Sequence, residues 1–185
     1  MVYLFLANGF EEIEALCPLD LLRRAGVKVT TVGIGSEVIR GSHGITVHAD
    51  IPDIMYRDSA PEMIILPGGM PGAKNLDESK TVDVAIKAAH KKGAYIAAIC
   101  AAPFVLGKRG LLYGKDATCF PGFEDELFGA NIIKDHGVVV DGNIITARGM
   151  GVAQKFGLTL VSLLCGEEAA RNIEKSIQTE PYTNE

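Results

Sequence analysis

There is no basic run in this sequence and no interleaving of aromatic with basic residues; aromatics make up only 6% and the net charge is -5. Nucleic acid is therefore not an expected partner. No apolar stretch reaches the roughly 20 residues needed to span a bilayer. The apolar start, Met1 to Ala7, is too short for a signal peptide and lacks a basic flank, so it reads as a first core strand. Cysteines are few: Cys17, Cys100, Cys119 and Cys165, with no CxxC pair and no His/Cys cluster at zinc spacing. Four reduced thiols in a cytoplasmic protein without a metal are the expectation. Nucleotide motifs also fail. Gly33-Ile34-Gly35 is followed by Ser36-Glu37-Val38 with no third glycine, and Gly114-Lys115 is followed by Asp116. Nothing here calls for an organic cofactor.

What is present is an alternation of strand-like and helix-like segments within 185 residues, 48% of them hydrophobic. Residues 2–7, 27–33, 63–66 and 95–99 read as apolar strands, and 11–25, 81–92, 152–164 and 167–177 as helices. Residues 102–107 begin a further helix, and 117–119 form a short strand. Residues 38–40 and 45–48 form a small hairpin, as do 138–140 and 143–147 around Asp141-Gly142. The pattern predicts an α/β protein, with a mostly parallel sheet covered by helices on both faces. No repeat or linker interrupts it, so one domain over 1–177 with a polar tail over 178–185 is expected. Ligands of such sheets bind beyond the carboxyl ends of the strands. Three ends stand out: Asn8-Gly9, Gly68-Gly69 and Cys100.

Cys100 closes the apolar run Tyr95–Ile99 and opens the small-residue stretch Ala101-Ala102-Pro103. A thiol at a strand-to-helix bend meets backbone N–H groups and the positive end of a helix dipole, and both favour the thiolate. The bend also leaves room for a reagent, as at a nucleophile elbow. Position alone equally admits an inert buried cysteine. Glu11, Glu12 and Glu14 open the first helix, where the dipole favours acids; for Glu11 and Glu12 that reason suffices. Glu14, next to Ile13 and near Leu16, falls at the edge of the buried stripe. Desolvation there would raise its pKa, making it a hydrogen-bond donor to sulfur or a proton shuttle. Gly68-Gly69 either aims amides at an oxyanion or makes a plain turn. Arg148-Gly149-Met150-Gly151 reads as a helix opening.

Together, Glu11-Glu12-Ile13-Glu14, Leu66-Pro67-Gly68-Gly69, Ala97 to Pro103 and Arg148-Gly149 resemble the ThiJ/PfpI family, in its DJ-one branch. The resemblance runs from Val2 to about Ile173. It implies a flavodoxin-like three-layer sandwich, a homodimer, Cys100 as the nucleophilic and oxidation-sensitive residue, Glu14 as its protonated partner, and Gly69 and Ala101 as backbone donors. His43 falls where some relatives carry a pocket arginine, and Arg24 at a position near the dimer interface; a solvated hairpin tip and an ordinary helix-end arginine are their plain readings. Departures are specific. Ala101 follows the cysteine where many relatives have histidine, and Phe120 stands where others have a second one, so a Cys–His pair is not expected. Gly-x-Cys-x-Gly and a downstream His-x-Glu are absent, which disfavours amidotransfer.

The resemblance thus implies cofactor-free chemistry on a small reactive carbonyl: hydration of 2-oxoaldehydes to hydroxy acids, or reversal of early glycation, in stress protection. A redox sensor or stress chaperone acting through Cys100 oxidation is the alternative, and a cysteine peptidase or amidase the third.

Overall fold

The computed structural model describes residues 1–57 and 61–179. Strand β1 (Val2–Leu6) is followed by helix α1 (Glu12–Arg24), β2 (Val29–Gly33), β3 (Val38–Arg40), β4 (Thr46–His48), β5 (Ile51–Pro52) and β6 (Met63–Leu66). Then come α2 (Gly72–Glu78), α3 (Lys80–Lys92), β7 (Tyr95–Ile99), α4 (Pro103–Gly107), β8 (Asp116–Ala117) and β9 (Asn131–Ile132). The chain ends with β10 (Val138–Asp141), β11 (Ile144–Ala147), α5 (Ala153–Cys165) and α6 (Glu167–Ser176).

The main sheet has seven strands in the order β10-β11-β7-β6-β1-β2-β5. Every pairing in it is parallel except the β10–β11 hairpin at one edge. Side-chain alternation then builds the layers. Tyr3, Phe5, Ile64, Leu66, Ile96 and Ala98 project to one face and pack with Leu76 of α2, Val82, Ile86 and Ala89 of α3, and Val105 of α4. Val2, Leu4, Leu6, Met63, Ile65, Ala97 and Ile99 project to the other and pack with Leu22 of α1, Phe156 and Leu160 of α5, and Ile173 of α6. The central strands are buried on both faces, which is why they read as unbroken apolar runs. Each fully buried Leu, Ile or Phe contributes about 1.5–3 kcal/mol over leaving it in water.

Helix ends follow sequence signals. The Ser79 hydroxyl accepts a hydrogen bond from the Val82 amide (3.3 Å) at the start of α3, and Gly93 closes that helix at φ 66°. The hairpin expected over 38–48 forms, with Val38 opposite His48. Five elements lie outside the expected pattern: α2, β5, β9 and the 3-10 turns Asp53–Met55 and Glu124–Glu126. Conversely, the short strand expected over 117–119 is Asp116–Ala117, and the helix expected from 102 runs only from Pro103 to Gly107. Of the tail expected over 178–185, residues 180–185 lie outside the described residues; the Thr179 hydroxyl accepts a hydrogen bond from the Gln154 amide (2.8 Å).

Helices α1 and α5 meet through a glycine. A methyl group at Gly157 would lie 2.6 Å from Leu21 Cδ1 and 2.9 Å from Pro18 Cα. Such a close approach tolerates no β-carbon without moving backbone. Gly157→Val is expected to destabilise the protein by about 2 kcal/mol through overpacking, read as a lower urea midpoint. An unchanged midpoint would mean that the two helices do not pack this closely in solution.

Candidate active site

Three strand ends and the start of α1 converge beyond the carboxyl edge of the sheet. Leu66 leads to Pro67-Gly68-Gly69, Ile99 to Cys100, and Ala147 to Arg148-Gly149. The Glu11 amide donates to the Gly68 carbonyl (3.0 Å), tying the start of α1 to the end of β6. The Cys100 amide donates to the Ala147 carbonyl (2.8 Å), and the Cys100 carbonyl accepts from the Phe120 amide (2.8 Å). Cys100 itself has φ 64°. A left-handed backbone is unfavourable for any residue with a β-carbon and persists only where the surroundings enforce it. Here both backbone groups of Cys100 are held, so the bend presents its side chain at the end of the strand.

Glu14 lies beside it. The second residue of the first turn after Glu12, it is 1% exposed, far more buried than the stripe edge expected from sequence. Its Oε2 accepts the Gly68 amide at 3.0 Å, the Met150 amide donates to the same carboxyl group, and Cys100 is hydrogen-bonded to it. Gly68 has no alternative: a methyl there would lie 2.5 Å from Cys100 Cβ and 2.6 Å from Glu14 Oε2. Burial pushes the Glu14 pKa up to about 7, assisted by the nearby charge of Glu11, while the bonds from Cys100, Gly68 and Met150 work the other way.

The amides of Gly69 and Ala101 point to the sulfur and favour its ionised form. Burial opposes them, and so does the charge of Glu14; with Glu14 ionised, the thiol is pushed up to about 12. This corrects the expectation that the bend by itself holds a thiolate. Helix α4 is five residues long and adds little dipole. The two groups are one coupled acid: the surroundings accommodate one negative charge, on oxygen or on sulfur, but not two.

The remaining candidates sit elsewhere. His43 is exposed, with Nδ1 3.1 Å from Glu12 Oε2 and 3.2 Å from Glu11 Oε2; neither it nor Arg24 is brought to Cys100. The Arg24 guanidinium donates to Asp20 (2.6 Å) on the surface of α1. Glu12 turns out to be more than an acid placed by the dipole. It is 2% exposed, and its Oε1 accepts the amides of His43 (2.8 Å) and Ile45 (3.3 Å), clasping the β3–β4 hairpin onto α1. Burial works to raise its pKa, but these bonds, with those from its own amide and the His43 ring, hold it below the ordinary value. Glu11, Glu12 and His43 bring possible metal-ligand atoms within 4.8 Å of one another, yet the hairpin amides already occupy Glu12 Oε1, and the Ser42 hydroxyl and the His43 ring meet Oε2. His136 is exposed and pairs with Asp135. All four cysteines are free thiols. Among the described residues, no helix is long and apolar enough to cross a membrane.

Known proteins resemble this chain in sequence and in fold. A model of the DJ-1/PfpI family covers residues 1–163. The chain belongs to the DJ-1/PfpI family. It is 37% identical over 174 residues to Protein dj-1beta of Drosophila melanogaster, covering 93% of each chain. It is 32% identical to a Caenorhabditis elegans protein named glutathione-independent glyoxalase DJR-1.2, covering 90% of this chain and 89% of that one. The solved structure of oxidized Toxoplasma gondii DJ-1 superimposes with a TM-score of 0.90 at 36% identity, covering 95% of this chain and 96% of that one. The mostly parallel sheet with helices on both sides is thus the fold of its DJ-1 neighbours. Met150 is the contributor that sequence reading passed over: Arg148-Gly149-Met150-Gly151 reads as a helix opening, whereas its amide is spent on Glu14.

The buried carboxyl makes a testable mark on stability. In the unfolded chain Glu14 titrates near 4.5; in the folded protein, near 7. Between these values the folded state holds the extra proton, so stability is fully present below about pH 4.5 and falls as pH rises through 7. The expected loss is about 3 kcal/mol. Glu14→Gln should remove it, flattening the difference between urea midpoints at pH 5 and pH 8. An equal slope in both proteins would place the titrating group elsewhere.

Proposed function

We propose that this protein converts 2-oxoaldehydes to 2-hydroxy acids with Cys100 as nucleophile and Glu14 as the proton carrier. The observation that carries the reading is the pairing of a part-exposed sulfur with a carboxyl group that is buried, hydrogen-bonded to it and protonated up to about pH 7. A protonated Glu14 donates to the sulfur and lets the pair's single charge reside there, supported by the Gly69 and Ala101 amides. The sulfur adds to the aldehyde carbon, and the former carbonyl oxygen takes a proton, giving a hemithioacetal. Glu14 as carboxylate removes the hydrogen on that carbon and returns a proton to the neighbouring ketone-derived carbon, giving a 2-hydroxy thioester. Water splits the thioester, releasing the hydroxy acid and restoring the thiol. In balance, one 2-oxoaldehyde and one water yield one hydroxy acid, and no electrons leave the substrate. The C. elegans relative's name supports this class of reaction. The same addition to a carbonyl would open early glycation adducts. Action in the cytoplasm, as a homodimer, in protection against carbonyl stress, belongs to the same proposal.

A second reading rests on the same two amides and acid. Oxidised to a sulfinate, Cys100 would keep its negative charge where Gly69, Ala101 and a protonated Glu14 can hold it, making the protein a redox sensor or stress chaperone. The oxidized state named for the Toxoplasma gondii neighbour supports it. Peptide cleavage has less support, because Cys100 is not hydrogen-bonded to a histidine base.

Lactate formation from methylglyoxal separates the readings. Wild-type protein is expected to turn over, Cys100→Ala to fall to background, and Glu14→Gln to lose at least about 100-fold. Alkylation of Cys100 by iodoacetamide should persist within a few-fold in Glu14→Gln, because the amide still donates to sulfur. Equal lactate rates in all three proteins would dismiss the enzyme reading. Loss of alkylation along with turnover in Glu14→Gln would make Glu14 an activator of sulfur rather than a proton carrier.

A further inference from the structure

Three half-exposed apolar side chains are carried by the segments around Glu14 and Cys100. Phe120 is 48% exposed, Met70 50% and Met150 53%. Each belongs to the backbone that forms the site. The Phe120 amide binds the Cys100 carbonyl (2.8 Å), the Met150 amide binds Glu14, and Met70 follows Gly69, whose amide points to the sulfur. The Phe120 ring is placed by direct geometry. A β-carbon at Gly149 would lie 3.3 Å from Phe120 Cδ2, 3.8 Å from its Cε2 and 3.8 Å from Glu14 Oε1. One glycine therefore separates the ring from the carboxyl group. Single exposed apolar side chains are common on protein surfaces; the Phe120 ring is set apart by its place beside the Glu14 carboxyl group.

Charge points the same way. Glu14 forms no ion pair among the described residues, and the charge of Glu11 bears on it. A negative group placed directly against the pair would meet these carboxylates, while the cations on this side, Arg148 and Lys134, act on Cys119. Nor does the ring offer a hydrogen bond to a polar substituent, as a histidine at this position would.

We propose that Phe120 makes this site selective for neutral 2-oxoaldehydes whose ketone carbon carries an apolar group, aryl or branched alkyl, over the small methyl compound. The substituent lies against the ring while the aldehyde carbon meets the sulfur. This specificity rests on the carbonyl chemistry proposed above, but the Phe120 contact has its own readout. An aromatic or apolar contact of this kind is worth roughly tenfold in rate ratio.

The test compares kcat/KM for phenylglyoxal and methylglyoxal in wild type, Phe120→Leu and Phe120→Ala. In parallel it compares rates of Cys100 alkylation by N-phenylmaleimide and N-methylmaleimide, which need no turnover. The phenyl-to-methyl ratio is expected to exceed about 10 in wild type, to fall about tenfold in Phe120→Ala and to be partly retained in Phe120→Leu. Both pairs of reagents should show the same order. Ratios that do not change in Phe120→Ala overturn the assignment while leaving the carbonyl chemistry intact. If no protein turns over either aldehyde, the proposed reaction fails, and the maleimide ratio alone then upholds or overturns the role of Phe120. Melting temperatures of the variants within a few degrees of wild type exclude a folding defect, as expected for a half-exposed ring.

Discussion

A carboxyl group with almost no contact with water needs hydrogen bonds in either protonation state, and the site is organised around that requirement. Glu14 obtains them from the Gly68 and Met150 amides and from Cys100. Leaving such a group unsatisfied would cost several kcal/mol. Its neighbours are constrained in turn. Gly68 must lack a side chain because Cys100 and Glu14 meet across it. The β11 end must turn so that the Met150 amide faces inward. The first turn of α1 must seat against the β6 end, which the Glu11–Gly68 backbone bond accomplishes. Three strand ends and one helix are thereby fixed relative to one another by a single acid.

The sequence shows much of this because periodicity survives burial. The central strands are apolar on both faces, α3 carries its stop signal at Gly93, and Cys100 interrupts an apolar run in a way that marks a bend. Short elements leave no such trace. β5 is two residues long and includes a proline at the sheet edge; α2 opens on Gly72 without a side-chain cap. Within the site, residue identity was legible and energetics were not. The acidic first turn of α1 has a local explanation in the helix dipole, and that explanation hides what Glu12 does, which is to clasp a hairpin 30 residues away. The sulfur's pKa was misjudged for a related reason. The favourable amides are local in sequence, whereas desolvation and the charge of Glu14 come from the assembled fold.

The thiol's hydrogen-bond partners are Glu14 and backbone amides, and this bears on proton transfer. With no histidine hydrogen-bonded to the thiol, Glu14 is the group that can both donate and accept a proton beside it. A carboxyl group near its ordinary pKa would be ionised at neutrality and could only repel a thiolate. Raised to about 7, it is present in both forms at working pH, which is the condition for serving in turn as donor to sulfur and as base toward carbon. In the proposed reaction, burial of Glu14 would therefore supply what a second side chain would otherwise provide.

The same burial raises the sulfur, so reactivity depends on where the pair's one remaining proton resides. The backbone is nearly symmetrical on this question. Gly68 and Met150 direct amides at the carboxyl oxygens, stabilising charge there; Gly69 and Ala101 direct amides at the sulfur. Neighbouring residues of one turn, Gly68 and Gly69, thus pull in opposite directions. The proposed reaction at the carbonyl would need the charge first on the sulfur and then on the carboxylate. A pair of glycines is what lets both sets of amides sit this close: a β-carbon at Gly68 would meet Cys100 and Glu14, and one at Gly69, whose φ is 82°, would collide with the Glu11 amide nitrogen.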